Sequence, residues 1–350
     1  MKKLLNTLFV TTQGAYLSKE GETVVISVDN KKLNHFPLHT LSGIVCLGRV
    51  MCSPYLMASC GEKNVHISFF SENGRFQARV QGPVSGNVLL RREQYRRADS
   101  MAASVALTRS FLIGKISNSR TVLKRTLRDH GDKIPAAAQI QHTIDLMSGG
   151  LNRTMEVKDG KEKKDLDETR GIEGEMGGCY FDVFDHLILK RKTDFKFNGR
   201  TRRPPLDNVN SMLSFLYTVL CHDVCSALEG VGIDPQVGFL HRDRPGRPSL
   251  ALDMMEEFRP YIVDRLVLSL INRGQVKPGG FQKLATGAIL MDDDTRRQVI
   301  TAYQKRKQDE ILHPFINEKV VIGILFHVQA LLLARHLRGD LDGYPPFIWR

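Results

Sequence analysis

Gln81-Gly82-Pro83-Val84-Ser85-Gly86-Asn87-Val88-Leu89-Leu90 is the point at which the pattern of this 350-residue chain changes. Gln81, Gly82 and Pro83 close one region, and Ser85 or Asn87 offers a side-chain oxygen that can cap a helix starting at Val88. Before this point apolar residues come in short runs: Leu8 to Thr11, Thr23 to Val28, Gly43 to Leu47 and Val65 to Phe70. Pairs such as Asp29-Asn30 and Asn73-Gly74 separate them, which is turn chemistry between strands. After it, a helical pattern runs from Val88 toward His130 and stays helical, between polar loops, to the C-terminus. The expected fold is α+β with two domains, a small β-sandwich-like domain over residues 1–84 and a larger all-α domain over 85–350. Two domains also suit the length, at ~100–200 residues per domain.

Working outward, Lys and Arg outnumber Asp and Glu by 50 to 38, a surplus that favours a polyanionic partner through counterion release. Charge alone does not separate a nucleic-acid binder from a basic protein of another kind, so the placement of the cations matters. Arg91, Arg92, Arg96 and Arg97 recur around one helix and read as a solvated face. Two other clusters lie in loops containing Gly or Pro: Lys190, Arg191 and Lys192 running to Arg200, Arg202 and Arg203, and Arg242, Arg244 and Arg247. There, phosphate contact is the expectation.

Other features narrow the class. The six cysteines are scattered, and Asn6, Thr7, Thr11 and Thr12 interrupt the apolar run a secretory leader needs, so reduced thiols and a cytoplasmic location are expected. Cys221 and Cys225 share a helix face without a second pair nearby and read as buried structural thiols. No unbroken run of ~20 apolar residues occurs, which argues against a membrane-spanning segment. Ser148 to Glu168 mixes Lys, Asp, Glu and three glycines with few large apolar side chains and is expected to be a mobile loop.

Three segments set ionisable residues into apolar helical patterns: Thr169 to Tyr180, Gly238 to Asp243, and Ser249 to Pro260. Glu173 falls one turn from Met176 and two from Tyr180, so it should face inward and need a partner; Arg170 or Arg259 would serve in a purely structural pairing. Gly174, Gly177 and Gly178 nearby suggest close approach of another backbone or a ligand. His241 follows Gly238-Phe239-Leu240, and Asp253 and Glu256 lie at i, i+3, where two carboxylates on one helix face can converge. Two carboxylate sources and an imidazole suit Mg²⁺ or Mn²⁺, and phosphodiester chemistry follows from such an ion beside arginines.

At these segments the sequence resembles the Cas-one family of CRISPR-associated endonucleases. The likeness is carried in order by Gly171-Ile172-Glu173-Gly174, Asn208 to Tyr217, Val237 to His241, Gly246 to Leu250 and Leu252 to Pro260. Tyr344 to Arg350, with Phe195 to Pro205, is similar to the subtype I-C branch. The resemblance implies that Glu173, His241 and Glu256 hold the catalytic metal, with Asp253 as a supporting acid. It implies an integrase that inserts spacers into a CRISPR array by 3′-hydroxyl attack on a repeat phosphodiester. It also implies a homodimer formed through the β domain and a larger assembly on DNA with a dimer of the small Cas-two protein. On residues alone, a non-catalytic DNA scaffold or an RNA-directed nuclease remain alternatives.

Overall fold

The computed structural model describes residues 6–63, 65–71, 76–80, 82, 88–157, 163–242 and 244–349. Ser85, Asn87 and Asn73-Gly74 lie outside the described residues. The chain divides into two compact units, residues 1–86 with 321–324, and residues 87–320 with 325–350.

The first unit holds β1 (Asn6–Val10), β2 (Tyr16–Glu20), β3 (Thr23–Val28), β4 (Lys31–Pro37), β5 (Leu41–Leu47), β6 (Met51–Cys52), α1 (Pro54–Glu62), β7 (His66–Phe70) and β8 (Phe76–Val80). Two four-stranded sheets form, in the orders β1-β5-β7-β8 and β4-β3-β2-β6. Val10, Ile44 and Ile67 from one and Leu17, Val24 and Ile26 from the other share a single apolar core with Leu56 and Cys60 of α1. The four apolar runs read from the sequence correspond to β1, β3, β5 and β7. Asp29 and Asn30 adopt φ of 48° and 60°, the two consecutive left-handed residues that a two-residue hairpin requires between Val28 and Lys31. Helix α1 was not anticipated, although Ser53 caps it by accepting from the Leu56 N–H and Pro54 opens it. Burial raises the thiol of Cys52 to about 12 and that of Cys60 to about 11, so both stay protonated.

The second unit is mainly helical. It contains α2 (Val88–Asp99), α3 (Met101–His130), α4 (Ala137–Glu156), α5 (Lys163–Asp182), α6 (Asn208–Gly230), α7 (Ser249–Met254), α8 (Arg265–Asn272) and α9 (Asp293–Lys307), and α10 (Ile322–Arg338) continues into it. Two short hairpins that the helical reading did not include, β9 (Phe281–Lys283) with β10 (Ile289–Met291) and β11 (Glu310–Leu312) with β12 (Lys319–Val321), are added to it. The helical run from Val88 breaks at Ser100, whose side chain caps α3 through the Ala103 N–H. Helix α6 is long and apolar enough to cross a membrane by length and composition, and most of it is buried inside the fold as a core helix would be.

The expected mobile loop at 148–168 needs correcting. Residues 148–156 are the last turns of α4 and residues 163–168 the first turns of α5; residues 158–162 lie outside the described residues. Of the glycines that suggested a loop, Gly150 is there for packing: it lies directly against the Met176 side chain, and a Cβ would collide with its sulfur. Gly149, one residue earlier, faces open space. Gly150→Val should therefore cost about 1–3 kcal/mol by overpacking, whereas Gly149→Ala should gain about 0.5–1 kcal/mol of helix propensity. Urea melts of the two variants should move in opposite directions, and a shared direction would contradict the α4–α5 packing.

Candidate active site

The site begins with one buried carboxylate. Asp253, in the last turn of α7, is fully buried and accepts the backbone N–H groups of Phe239 at 2.6 Å, Leu240 at 2.9 Å and His241 at 2.9 Å. Its Oδ1 also lies 2.6 Å from His241 Nδ1. The loop before α7 is thereby wrapped around a single side chain, and only glycine fits at 238, where a Cβ would stand 2.8 Å from Asp253 Oδ2 and from the His241 carbonyl. From the other side, Arg170 of α5 donates to the Leu240 carbonyl through Nε at 3.1 Å and Nη2 at 2.8 Å. With Nδ1 committed to Asp253, the ring nitrogen His241 has left for a ligand is Nε2, the orientation that metal-binding histidines commonly take from a carboxylate behind them.

Glu256 follows α7 in a 3-10 turn, Met255–Glu257, which leads into a π-helical turn, Arg259–Asp264. Pro260 has no N–H to continue the α-helical ladder, and π turns recur at functional sites. This break changes the expected convergence of Asp253 and Glu256. Asp253 turns to the 238–241 loop, while Glu256 is only 2% exposed and pairs with Arg259 Nη1 at 2.5 Å and Lys115 Nζ at 2.9 Å. Asp253 holds the His241 ring, and His241 acts on Glu256 only through its charge. Burial alone would raise the Glu256 carboxyl, but Arg259, Lys115 and His241 outweigh it and hold it down at about 2. Lys115 and Arg259 are likewise held charged: burial opposes it, and the carboxylates beside them raise both above their ordinary values.

Glu173 comes from α5, where Leu166, Ile172, Met176 and Tyr180 line the buried face and Glu173 stands at its edge, 30% exposed at the side chain. Its Oε1 accepts from Lys115 Nζ. The structural partners expected for it, Arg170 and Arg259, are committed to Leu240 and Glu256. The expected close backbone approach at Gly174 and Gly178 is also absent: a Cβ at either meets nothing within 4 Å, and at Gly177 it would only touch Glu173 Oε1 and Lys115 Nζ at 4.0 Å. These glycines leave open the side of α5 that carries Glu173.

Glu173 and Glu256 thus converge on Lys115, which the sequence reading did not single out, and His241 is near enough to act on Glu256. The signal was present, as a lone cation inside Phe111-Leu112-Ile113-Gly114-Lys115-Ile116. Among the described residues no three His, Cys, Asp or Glu side chains stand at metal-coordinating geometry, because the carboxylates close on Lys115 instead. Glu256 Oε2 nevertheless remains a buried oxygen that no donor meets at hydrogen-bond geometry, although Lys115 Nζ is within ion-pair distance.

Glu257 points the opposite way from its neighbour. It is fully buried and accepts from Tyr344 Oη at 2.5 Å, the Phe347 N–H at 2.5 Å and, weakly, Gln329 Nε2 at 3.4 Å. Asn118 of α3 ties the same strap down by donating to the Glu257 carbonyl at 2.7 Å and the Phe347 carbonyl at 2.9 Å, while accepting from the Trp349 N–H at 2.7 Å. Asp264 closes the segment, accepting from Tyr217 Oη at 2.6 Å and Tyr180 Oη at 3.1 Å.

The loop cations divide. Lys190, Arg191, Arg202, Arg203, Arg242 and Arg244 are exposed and Arg247 is half-buried. Arg191 also donates to the Val276 carbonyl at 3.4 Å. Arg200 is turned inward: Nη1 donates to Asn210 Oδ1 at 2.7 Å, and the guanidinium sits 5.3 Å from the Tyr217 ring centroid. Burial depresses its pKa, so its work is to brace the 199–217 region.

The chain thus combines a β unit with a helical unit that gathers two carboxylates and an imidazole, and the sequence comparison specifies the family. The model of the CRISPR associated protein Cas1 family matches residues 8–305, and the chain belongs to that family. A curated relative, CRISPR-associated endonuclease Cas1 1 of Chlorobaculum tepidum, is 55% identical over 350 residues, covering 100% of both chains. Among solved structures, a casposase bound to an integration product superposes with a TM-score of 0.82 at 22% identity, covering 99% of this chain and 95% of that one. A Cas6-RT-Cas1–Cas2 complex gives a TM-score of 0.80 at 20% identity, covering 100% of this chain and 36% of that one.

The two neighbouring acids give opposite pH signatures. Glu256, depressed in the folded chain, contributes stability above its unfolded value of 4.5 that is lost as pH falls toward about 2. Burial raises Glu257 to about 8, so between 4.5 and 8 the folded chain holds a proton that the unfolded chain has released, and stability declines as pH rises through that window. Asp264, raised to about 6 by burial, adds to the decline below that pH, so urea midpoints should fall from about pH 5 to about pH 8 in the wild type and stay level from about pH 6 to about pH 8 in Glu257→Gln; parallel slopes would remove Glu257 as the source.

Proposed function

We propose that this chain is a divalent-metal-dependent DNA endonuclease and integrase that inserts new spacers into a CRISPR array, working in the cytoplasm with Mg²⁺ or Mn²⁺. The observation that carries the reading is the convergence of Glu173 and Glu256 on one buried ammonium, with His241 close enough to act on Glu256 and braced from behind by Asp253. The donor set fits the ion. Two carboxylates and one imidazole nitrogen are hard and borderline ligands suited to these metals, and Glu256 Oε2 is a buried oxygen still lacking a hydrogen-bond donor. Lys115 and a divalent cation answer the same pair of carboxylates, so the ion would share or replace that countercharge.

When bound, such an ion lowers the pKa of an attacking oxygen and offsets charge developing on the phosphate. The chain's own residues supply the rest. Glu173 and Glu256 would hold the ion from two different elements, and His241 would add Nε2 with its ring fixed by Asp253. The exposed Lys190, Arg191, Arg202, Arg203, Arg242 and Arg244, with Arg247, would hold the DNA backbone without reading its bases. In strand transfer a 3′-hydroxyl gives up its proton and forms a P–O bond as one bond of the repeat phosphodiester breaks. The number of phosphodiesters is conserved and no energy source is needed. With water in place of the hydroxyl, the same site hydrolyses DNA.

The partners follow the relatives. A casposase on its integration product and a complex containing Cas2 are among the structural neighbours, and we extend DNA and a Cas2 dimer to this chain. Its first unit, residues 1–84 in the proposed division, would mediate homodimerisation, and residues 85–350 would carry the chemistry.

Single Glu173→Ala, His241→Ala and Glu256→Ala variants should lose divalent-dependent nicking and strand transfer on branched DNA while still binding it. Wild-type integration by His241→Ala in Mn²⁺ would sink the ligand assignment. Asp253→Asn, acting through His241, should cost about 10–100-fold. Reversing the charge of Arg202 and Arg203 should flatten the dependence of log affinity on log salt by roughly 0.9 per lost phosphate contact on duplex DNA; lower affinity at an unchanged slope would point to misfolding.

A further inference from the structure

The two carboxylates assigned to the metal already hold a cation of the chain's own, and α3 determines its place. Gly114 lets this helix lie against the turn that carries Glu256, since a Cβ there would stand 2.9 Å from Glu257 Cβ. Asn118, one turn further on, donates to the Glu257 carbonyl at 2.7 Å. Lys115 lies between these two contacts and so reaches both acids. Its ammonium donates to Glu173 Oε1 and lies 2.9 Å from Glu256 Oε2. Arg259 pairs with the other oxygen of Glu256 at 2.5 Å.

Two carboxylates and two cations make this group neutral as it stands. Asp253 is outside the balance, because three backbone N–H groups and the His241 ring hold it. A divalent ion set between Glu173 and Glu256 beside the ammonium would bring like charges together away from water, where their repulsion is strong. The two cations therefore compete for one place, and Lys115 is the one able to leave. Arg259 sits three residues from Glu256 on the same segment, with its guanidinium 5.2 Å from the Tyr217 ring centroid, whereas a lysine carries a compact charge on a flexible stem. Room to move lies on the Glu173 side. Side-chain exposure rises from 2% at Glu256 through 14% at Lys115 to 30% at Glu173, and a Cβ at Gly177 would meet only Glu173 Oε1 and Lys115 Nζ, at 4.0 Å. The match of Lys115 to Glu256 is also incomplete, since Oε2 has no donor at hydrogen-bond geometry.

We propose that Lys115 is a positioning residue that stands in for the divalent ion in the metal-free chain, holding Glu173 and Glu256 in place and yielding them when the ion enters, so that it sets the affinity of the site for metal. The proposal rests on the metal reading given above and adds to it the residue that opposes loading. Lys115 thus has two effects of opposite sign. It stabilises the metal-free fold by offsetting carboxylates withdrawn from water, and it weakens metal binding by occupying the same oxygens. A side chain that served the fold alone would show the first effect without the second.

Lys115→Met keeps most of the stem and removes the charge. Binding of Mn²⁺ to the full chain, without DNA, is followed by the loss of the paramagnetic resonance signal of free ion, and Glu256→Gln marks the share of that binding that belongs to the site. Lys115→Met should bind Mn²⁺ there at least about tenfold more tightly than the wild type, because the repulsion of one nearby unit charge is gone. Its melting temperature should fall in EDTA and rise by more than that of the wild type when Mn²⁺ is added. Adding Glu173→Gln to Lys115→Met restores the balance of charge and should recover the melting temperature in EDTA. Binding by Lys115→Met equal to or weaker than that of the wild type would overturn the proposal and leave Lys115 as a structural countercharge. A double variant no more stable in EDTA than Lys115→Met would overturn it as well, since charge balance would then not be what Lys115 provides. If neither the wild type nor Lys115→Met shows Mn²⁺ binding that Glu256→Gln removes, the metal reading itself fails and the proposal falls with it.

Discussion

A buried carboxylate left without a partner costs several kcal/mol, and the twelve residues from Asp253 to Asp264 bury four of them. Each is answered by a different part of the helical unit. Asp253 is answered by the loop at 239–241, and Glu256 by Lys115 of α3 with Arg259. Glu257 is met by Gln329 of α10 and the strap at 344–347, and Asp264 by Tyr180 of α5 and Tyr217 of α6. One irregular helical segment thereby dictates where α3, α5, α6 and α10 sit. The change from α to 3-10 to π geometry around Pro260 is what lets successive acids point in different directions, since a regular helix would place Asp253 and Glu256 on one face.

This organisation explains what the sequence made legible. Glu173, His241, Asp253 and Glu256 stand out because each interrupts an apolar pattern locally, and the family blocks around them carry the resemblance. Their countercharges do not stand out, because Lys115 meets Glu173 and Glu256 across sequence separations of 58 and 141 residues, for which no local spacing exists. Glu257, next to Glu256, turns away from the site toward the strap rather than toward solvent. Arg200 read as a phosphate ligand from its neighbours in a basic loop, whereas Asn210 and Tyr217 claim it internally.

The fold was readable to a similar depth. Strands with strong apolar runs and the Asp29-Asn30 turn were visible, while α1 and β2 were not, since Tyr16-Leu17-Ser18-Lys19-Glu20 is polar enough to pass for a loop. Composition misled at 148–168. Mixed charge and glycine resemble a linker, but Gly150 accepts Met176 and Thr154 is fully buried, so packing overrides the local signal there.

The strap over Glu257 also ties the site to the order in which the chain is made. Tyr344 lies 87 residues after Glu257 and Phe347 lies 90 after it. At roughly 5–20 residues per second of synthesis, that gap corresponds to about 4–18 seconds. During that interval Glu257 has no strap to enter, and its carboxylate favours water over the interior. Glu257 belongs to the same 3-10 turn as Glu256, so that turn carries an acid without its strap until residue 347 is made. Until Tyr344 and Phe347 are made, Glu257 lacks two of the donors that hold it inside, so the strap is the last in chain order of the partners that answer the four buried acids.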